Sequence, residues 1–145
     1  MRRTFFILLT TLIMGFSVVS YAHKDATGIV KERMDLFKKS QQDIKGLYSA
    51  IKDERIEDIK MKSASLAEWG AVMPEYFPLG SGGGVSDASS KIWDDFDSFK
   101  ESAKIFELAA LSVIEAANQN DMEAIMNSAK SVGNSCKSCH RKFKN

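Results

Sequence analysis

The amino-acid sequence predicts an all-α fold, an antiparallel up-down-up-down four-helix bundle with a long loop between the second and third helices. Three observations carry this. Apolar residues recur at helical steps of three, four and seven over four long stretches. The links between the first and second stretches, and between the third and fourth, are short and polar, which favours antiparallel neighbours. The one interval dense in proline and glycine lies between the second and third.

A different kind of segment stands ahead of the bundle. Arg2 and Arg3 precede an apolar run from Phe5 to Val19, and Ser20-Tyr21-Ala22 puts small residues at the −3 and −1 positions of a cleavage site. Basic head, apolar stretch and small-residue exit are the plan of a secretory signal peptide. The run is short for the roughly 20 residues of a membrane span. Residues 1–22 are therefore expected to be cleaved and the protein to be exported, which places it in the periplasm. The 145-residue chain carries a formal charge of +1, and loss of Arg2 and Arg3 takes it to −1. Residues 23–145 then form one domain, long enough for one modest core. They contain no basic stripe that points to nucleic acid and no second long apolar run that points to a membrane protein.

The first helix is expected over about residues 26–52, with Ile29, Val30, Met34, Phe37, Ile44, Leu47, Tyr48 and Ile51 on one face. A turn near Asp53 leads to the second, over about 55–72, with Ile56, Ile59, Ser63, Leu66, Trp69 and Met73 inward. Pro74 ends it, because the proline ring clashes with the preceding turn and lacks an amide donor. Residues 74–90 form the long loop; Tyr76 and Phe77 within it argue against a slack tether, since large aromatics pack onto something. The third helix, about 90–117, turns Ile92, Trp93, Phe96, Phe99, Ala103, Phe106, Ala110, Val113 and Ile114 inward. After Asn118-Gln119-Asn120 the fourth, about 121–143, places Met122, Ile125, Met126, Ala129, Val132, Cys136, Cys139, His140 and Phe143 on or near one face.

The chemistry concentrates at Cys136-Lys137-Ser138-Cys139-His140. Cys-x-x-Cys-His is the attachment signature of c-type haem. Two thiols add across the two porphyrin vinyl groups, and the histidine presents an imidazole nitrogen to the iron. On a helix the three residues fall at i, i+3 and i+4, which is one face. A zinc site needs about four ligands, and the only other histidine is His23 beside the cleavage point. A thioredoxin-like pair needs a strand–turn–helix setting with the motif at a helix start, whereas here it ends a helix. Two cysteines and a histidine used only for packing are the remaining reading. Gly133, one turn before Cys136, would let the haem or a neighbouring helix come close.

With these residues in place, the chain resembles the cytochrome c-prime family, the class II c-type cytochromes. The resemblance spans nearly all of residues 23–145. It rests on Val30-Lys31-Glu32-Arg33, on Phe77-Pro78-Leu79-Gly80-Ser81, on Asp87-Ala88 with Ile92-Trp93 and Phe99, and on the run from Val132 to His140. It implies the four-helix bundle, a fold already associated with this family. It also implies one covalent haem c on Cys136 and Cys139, with His140 as the axial iron ligand. Arg33, Met34 and Asp87 take haem-contact positions, with Arg33 suited to a propionate and Asp87 also open to a helix N-cap role. Lys144, four residues after His140, takes a position beside the proximal imidazole, or is a frayed tail residue. Homodimers through the first two helices are common in such proteins.

Phe37 occupies the distal position where low-spin relatives place a methionine. A phenyl ring cannot bind iron, so a five-coordinate, high-spin haem with Phe37 as distal lid is expected, with Met34 the rival sixth ligand. An open iron under an apolar lid suits small neutral gases, nitric oxide and carbon monoxide, which need no distal hydrogen-bond donor. The expected activity is gas binding, electron transfer to a redox partner in the periplasm, or both. The alternative is a six-coordinate low-spin electron carrier. A peroxidase-like enzyme needs a distal acid–base group, and none is expected.

Overall fold

The computed structural model describes residues 26–145; the expected signal peptide, its cleavage point and His23 lie outside the described residues. The described chain forms α1 (Gly28–Lys52), α2 (Ile56–Val72), a 3₁₀ turn (Met73–Tyr76), α3 (Lys91–Asp94), α4 (Phe96–Asn118) and α5 (Met122–Phe143). The four long helices make the expected bundle, and no described helix is long and apolar enough to cross a membrane.

Each boundary has a local cause. The α1–α2 turn closes by the Arg55 amide donating to the Ala50 carbonyl, 2.9 Å, with Glu54 in the left-handed region at φ 52°. The α2 helix stops one residue short of Met73, and Pro74 is taken up at the start of the 3₁₀ turn, where its missing amide costs no hydrogen bond. The α4–α5 turn uses Asn120 at φ 53°, a conformation asparagine tolerates better than most residues. Asp121 then caps α5, its carboxylate accepting from the Ala124 amide at 2.9 Å.

The expected third helix is broken. Asp95 leaves helical geometry (φ −141°, ψ 65°), and its side chain accepts from the Ser98 amide to start α4 afresh. The short α3 before it is thereby set at the start of α4, where it turns Ile92 into the core.

The core sits around α4, which packs extensively against α2 and α5; α1 lies along α2 and meets α5 only sparingly. Gly70 lets α2 and α4 approach closely, since a Cβ there would stand 2.9 Å from the Glu107 backbone. The 74–90 loop is held by Trp93, whose indole donates to the Phe77 and Pro78 carbonyls, both at 3.0 Å. The inward face of α1 differs from expectation. Met34 is 44% exposed and Tyr48 39%, while the polar Arg33, Ser40 and Asp43 are buried. The helix is turned so that Arg33 reaches partners on the loop and Asp43 partners on α2, while Ser40 donates to the Phe37 carbonyl within α1.

Candidate functional site

The sparse α1–α5 contact leaves a cavity of about 310 Å³ between these helices, closed at one end by the loop and by α3. Phe37, Phe77, Phe99, Phe143 and Ile92 make its walls mainly apolar. Cys139 and His140 line it from α5, and Arg33, Met34 and Lys38 from α1; Asp87 and Lys144 stand at its rim. Seven of the eight residues singled out from the sequence therefore share one cavity. The eighth, Cys136, lies one turn back on the same helix, half-buried against the core.

The α5 helix runs unbroken through the Cys-x-x-Cys-His motif. Both cysteines are free and half-buried. Burial raises the Cys136 thiol above its ordinary value, and burial together with Cys136 pushes Cys139 up to about 11. Protonated thiols at neutral pH are the reverse of a thioredoxin-like pair, whose nucleophile needs a depressed pKa. Among the described residues no three His, Cys, Asp or Glu side chains gather as a metal-binding group. The motif is spread along a helix face. His140 is held below its ordinary pKa by burial, then by nearby Lys144, so its imidazole is neutral and available as a ligand at neutral pH.

Across the cavity from His140 stands Phe37, with ring centroids 6.5 Å apart. The two ring planes are tilted by 58° to each other, and both rings line the cavity. Phe37 is braced from behind by Trp69 at 5.1 Å and Phe77 at 6.4 Å, both edge-on.

Arg33 is 2% exposed. Its guanidinium donates to the Tyr76 carbonyl (3.3 Å), to the Ser81 hydroxyl (2.8 Å) and carbonyl (2.7 Å), and to the Ser86 hydroxyl (2.7 Å). It also lies 4.6 Å over the Phe77 ring. Burial lowers its pKa, yet an arginine stays charged. None of its four acceptors is a carboxylate. This loop-clamping role was invisible in the sequence, because its serines lie 48 and 53 residues away.

Asp87 does not cap α3, whose N-cap is Ser90. It pairs with Lys144 at 3.3 Å, and its carbonyl accepts from the Asn145 amide at 2.9 Å. Lys144 pairs with Ala88 in an isolated antiparallel bridge, so the chain end is fastened to the loop and is not frayed. Gly133 meets no close neighbour: a Cβ there would touch only the Tyr48 hydroxyl, at 3.7 Å.

The fold and site define a class: a helical bundle with an apolar slot, two adjacent thiols and an imidazole, fitted to hold a flat macrocycle covalently. The family described as Cytochrome C' matches residues 28–144, and the chain belongs to that family, whose members are haem c proteins. Cytochrome c' of Rhodospirillum rubrum is 29% identical over 83% of this chain and 84% of its own length. Cytochrome c-556 of Agrobacterium fabrum is 28% identical over 92% of both. Among solved structures, the nitric oxide complex of a mutant cytochrome c prime from Alcaligenes xylosoxidans superposes with a TM-score of 0.72. It is 26% identical, covering 81% of this chain and 93% of that one. A carbon monoxide-bound variant of the same protein gives 0.72 at 26% identity, covering 81% and 94%.

Proposed function

We propose that this c-type cytochrome is a periplasmic gas-binding protein with a five-coordinate, high-spin haem, which also exchanges single electrons. The observation that supports the reading is the Phe37–His140 pair, an imidazole able to bind iron on one side of the slot and a ring without a ligand atom on the other. Cys136 and Cys139 hold the group by thioether bonds, and His140 binds its iron. When bound, the haem supplies an iron that takes neutral diatomic molecules and cycles between ferric and ferrous states.

The remaining roles fall to this chain's own residues. Phe37, backed by Trp69, excludes water and offers no hydrogen-bond donor, a setting that suits nitric oxide and carbon monoxide. It also offers no acid–base group of the kind a peroxidase needs, so no enzymatic activity is assigned. Arg33 carries a buried charge bonded only to neutral oxygens, and a propionate carboxylate at the cavity would neutralise it. Met34, nearly half exposed at the cavity wall, contributes packing. Asp87 and Lys144 close the rim. The N-terminal pattern of Arg2-Arg3, apolar run and Ala22 supports export. Homodimerisation through α1 and α2 belongs to the same reading, with exposed Met61 and Val72 on α2 as available apolar surface.

The test is an absorption spectrum of purified exported protein, ferric and ferrous, before and after nitric oxide and carbon monoxide. High-spin bands that shift with both gases are expected. A colourless protein overturns the haem assignment. An unchanged spectrum under nitric oxide overturns gas binding, and low-spin bands in both redox states transfer the reading to a six-coordinate carrier with Met34 as ligand.

A further inference from the structure

A group of cations without acidic partners gathers where α1 and α5 meet at the surface. Tyr48 of α1 donates to the Ala129 carbonyl of α5 at 3.2 Å, and Phe37 faces His140 further along the same seam. Eleven residues separate Phe37 from Tyr48, and eleven separate Ala129 from His140, so one antiparallel register satisfies both contacts. At 3.6 residues per turn, Lys38 and Lys45 stand within about a quarter turn of Tyr48 on α1. Lys130, Lys137 and Arg141 stand within about a quarter turn of Gly133, the α5 residue beneath the Tyr48 hydroxyl. The register places Lys45 across the seam from the stretch between Lys130 and Lys137, and Lys38 across from the stretch between Lys137 and Arg141.

All five side chains are exposed, and none makes an ion pair among the described residues. Arg141 reaches only the Ser138 hydroxyl, at 2.9 Å. Lysines on α2 and α4 are matched locally, as in Lys60–Glu57, Lys100–Asp97 and Lys104–Glu107. From Ala124 to Asn145 the chain has no acidic residue at all. A near-neutral protein thus concentrates positive charge on one face, and that face borders the opening lined by Lys38, Cys139 and His140.

We propose that the α1–α5 face is the docking surface for a soluble one-electron donor protein with an acidic patch, an inference that rests on the haem assignment above. The docked donor gives up one electron and the iron passes from ferric to ferrous; the step requires no proton. The charges favour a folded protein over other polyanions. Within each helix the lysines are spaced seven residues apart, about 10 Å, which suits separate carboxylates. The large apolar side chains beside them, Met34 and Tyr48, are less than half exposed, so little apolar surface is offered for insertion into a bilayer.

The test uses haem-loaded protein, with loading scored first by absorbance so that loss of the haem assignment is recognised separately. Reduced flavodoxin, an acidic donor, is mixed with the ferric protein by stopped flow, and binding is followed in parallel by nuclear magnetic resonance. The expected rate falls about tenfold or more between low and physiological salt. The K45E/K137E variant is expected to slow the reaction by a similar factor, while K60E, on the remote α2 face, and the variant's carbon monoxide spectrum remain unchanged. Reduction by cationic hexaammineruthenium(II) is expected to respond in the opposite sense. Rates with flavodoxin that ignore both salt and K45E/K137E overturn the proposal. Tighter binding to anionic vesicles or single-stranded DNA than to flavodoxin, lost in the same variant, also overturns it.

Discussion

The Phe37 ring and the His140 imidazole face each other from different helices, and Phe37 alone of the two is backed by further aromatic rings. Phe37 is wedged edge-on between Trp69 and Phe77, whereas His140 is exposed and makes no side-chain hydrogen bond among the described residues. The wall of the slot that offers no ligand atom is thus the braced one.

Exchange of the Phe37 ring for a ligating side chain is expected to change the iron chemistry directly. Phe37→Met places a thioether sulfur where the ring stands, on a helix position already aimed at His140. The expected outcome is conversion from high-spin to low-spin absorbance, with carbon monoxide binding slowed at least tenfold because the sulfur must be displaced. Loss of the edge contact with Trp69 costs about 1 kcal/mol of stability. Stopped-flow mixing and a thermal melt measure both.

Asp43 makes stability depend on acid. Its side chain is 7% exposed and accepts from Lys39 (2.8 Å), Lys62 (3.0 Å) and Ser65 (2.7 Å), which ties α1 to α2. Burial alone would raise its pKa, but the Lys39, Ser65 and Lys62 bonds together outweigh burial and hold it below the ordinary carboxylate value. A depressed folded pKa contributes stability that is complete above the unfolded value, near 4. That contribution is lost as pH falls through the folded one. Asp43→Asn is expected to cost about 1–3 kcal/mol at pH 7, with wild type and variant converging in acid as the carboxylate is protonated. Urea unfolding at pH 7 and in acid checks it.

Much of this architecture was legible in the chain. The four helical stretches and the loop follow from apolar spacing, and Cys136, Cys139 and His140 from Cys-x-x-Cys-His, whereas Arg33, Met34, Phe37, Asp87 and Lys144 were expected at the site only from the family resemblance. The break at Asp95 was not legible, because Ile92, Trp93, Phe96 and Phe99 keep helical steps straight across it. The signal was the Asp95-x-x-Ser98 capping pattern, which apolar periodicity does not register. The burial of Arg33, Ser40 and Asp43 was also missed. Periodicity weighs apolar residues, whereas Arg33 and Asp43 are drawn inward by partners distant in sequence, Ser81, Ser86 and Ser65, and Ser40 satisfies its hydroxyl on the Phe37 carbonyl of its own helix. The basic α1–α5 face was equally hidden, since its cations form no run and meet only when the helices pair.

Arg33 is expected to hold the loop as well as the site. Arg33→Ala leaves the Ser81 carbonyl and two serine hydroxyls without their donor and removes the cation over Phe77. The expected loss is about 3 kcal/mol, or a drop in Tm of about 10 °C. Hydrogen exchange should quicken at Ser81 through Ala88 and stay unchanged in the α4–α5 turn. Arg33→Lys should fall between, since one ammonium cannot reproduce the planar fork.

Two helix glycines are expected to respond to alanine with opposite sign. Alanine gains about 1 kcal/mol over glycine in a helix interior, so the surroundings decide the outcome. At Gly70 the new methyl would stand 2.9 Å from the Glu107 backbone. Backbone cannot swing aside as a flexible side chain does, and forcing α2 from α4 costs about 1–3 kcal/mol. Gly70→Ala is therefore expected to lower stability by about 1 kcal/mol net. At Gly133 the methyl would meet only the Tyr48 hydroxyl at 3.7 Å, an ordinary contact, and this residue does not line the cavity. Helix propensity then prevails, and Gly133→Ala should raise Tm by about 2–4 °C with the haem spectrum unaltered. If Gly133→Ala is destabilising and its haem bands shift, the glycine instead makes room for the bound macrocycle, a demand that comes from the ligand rather than from α1.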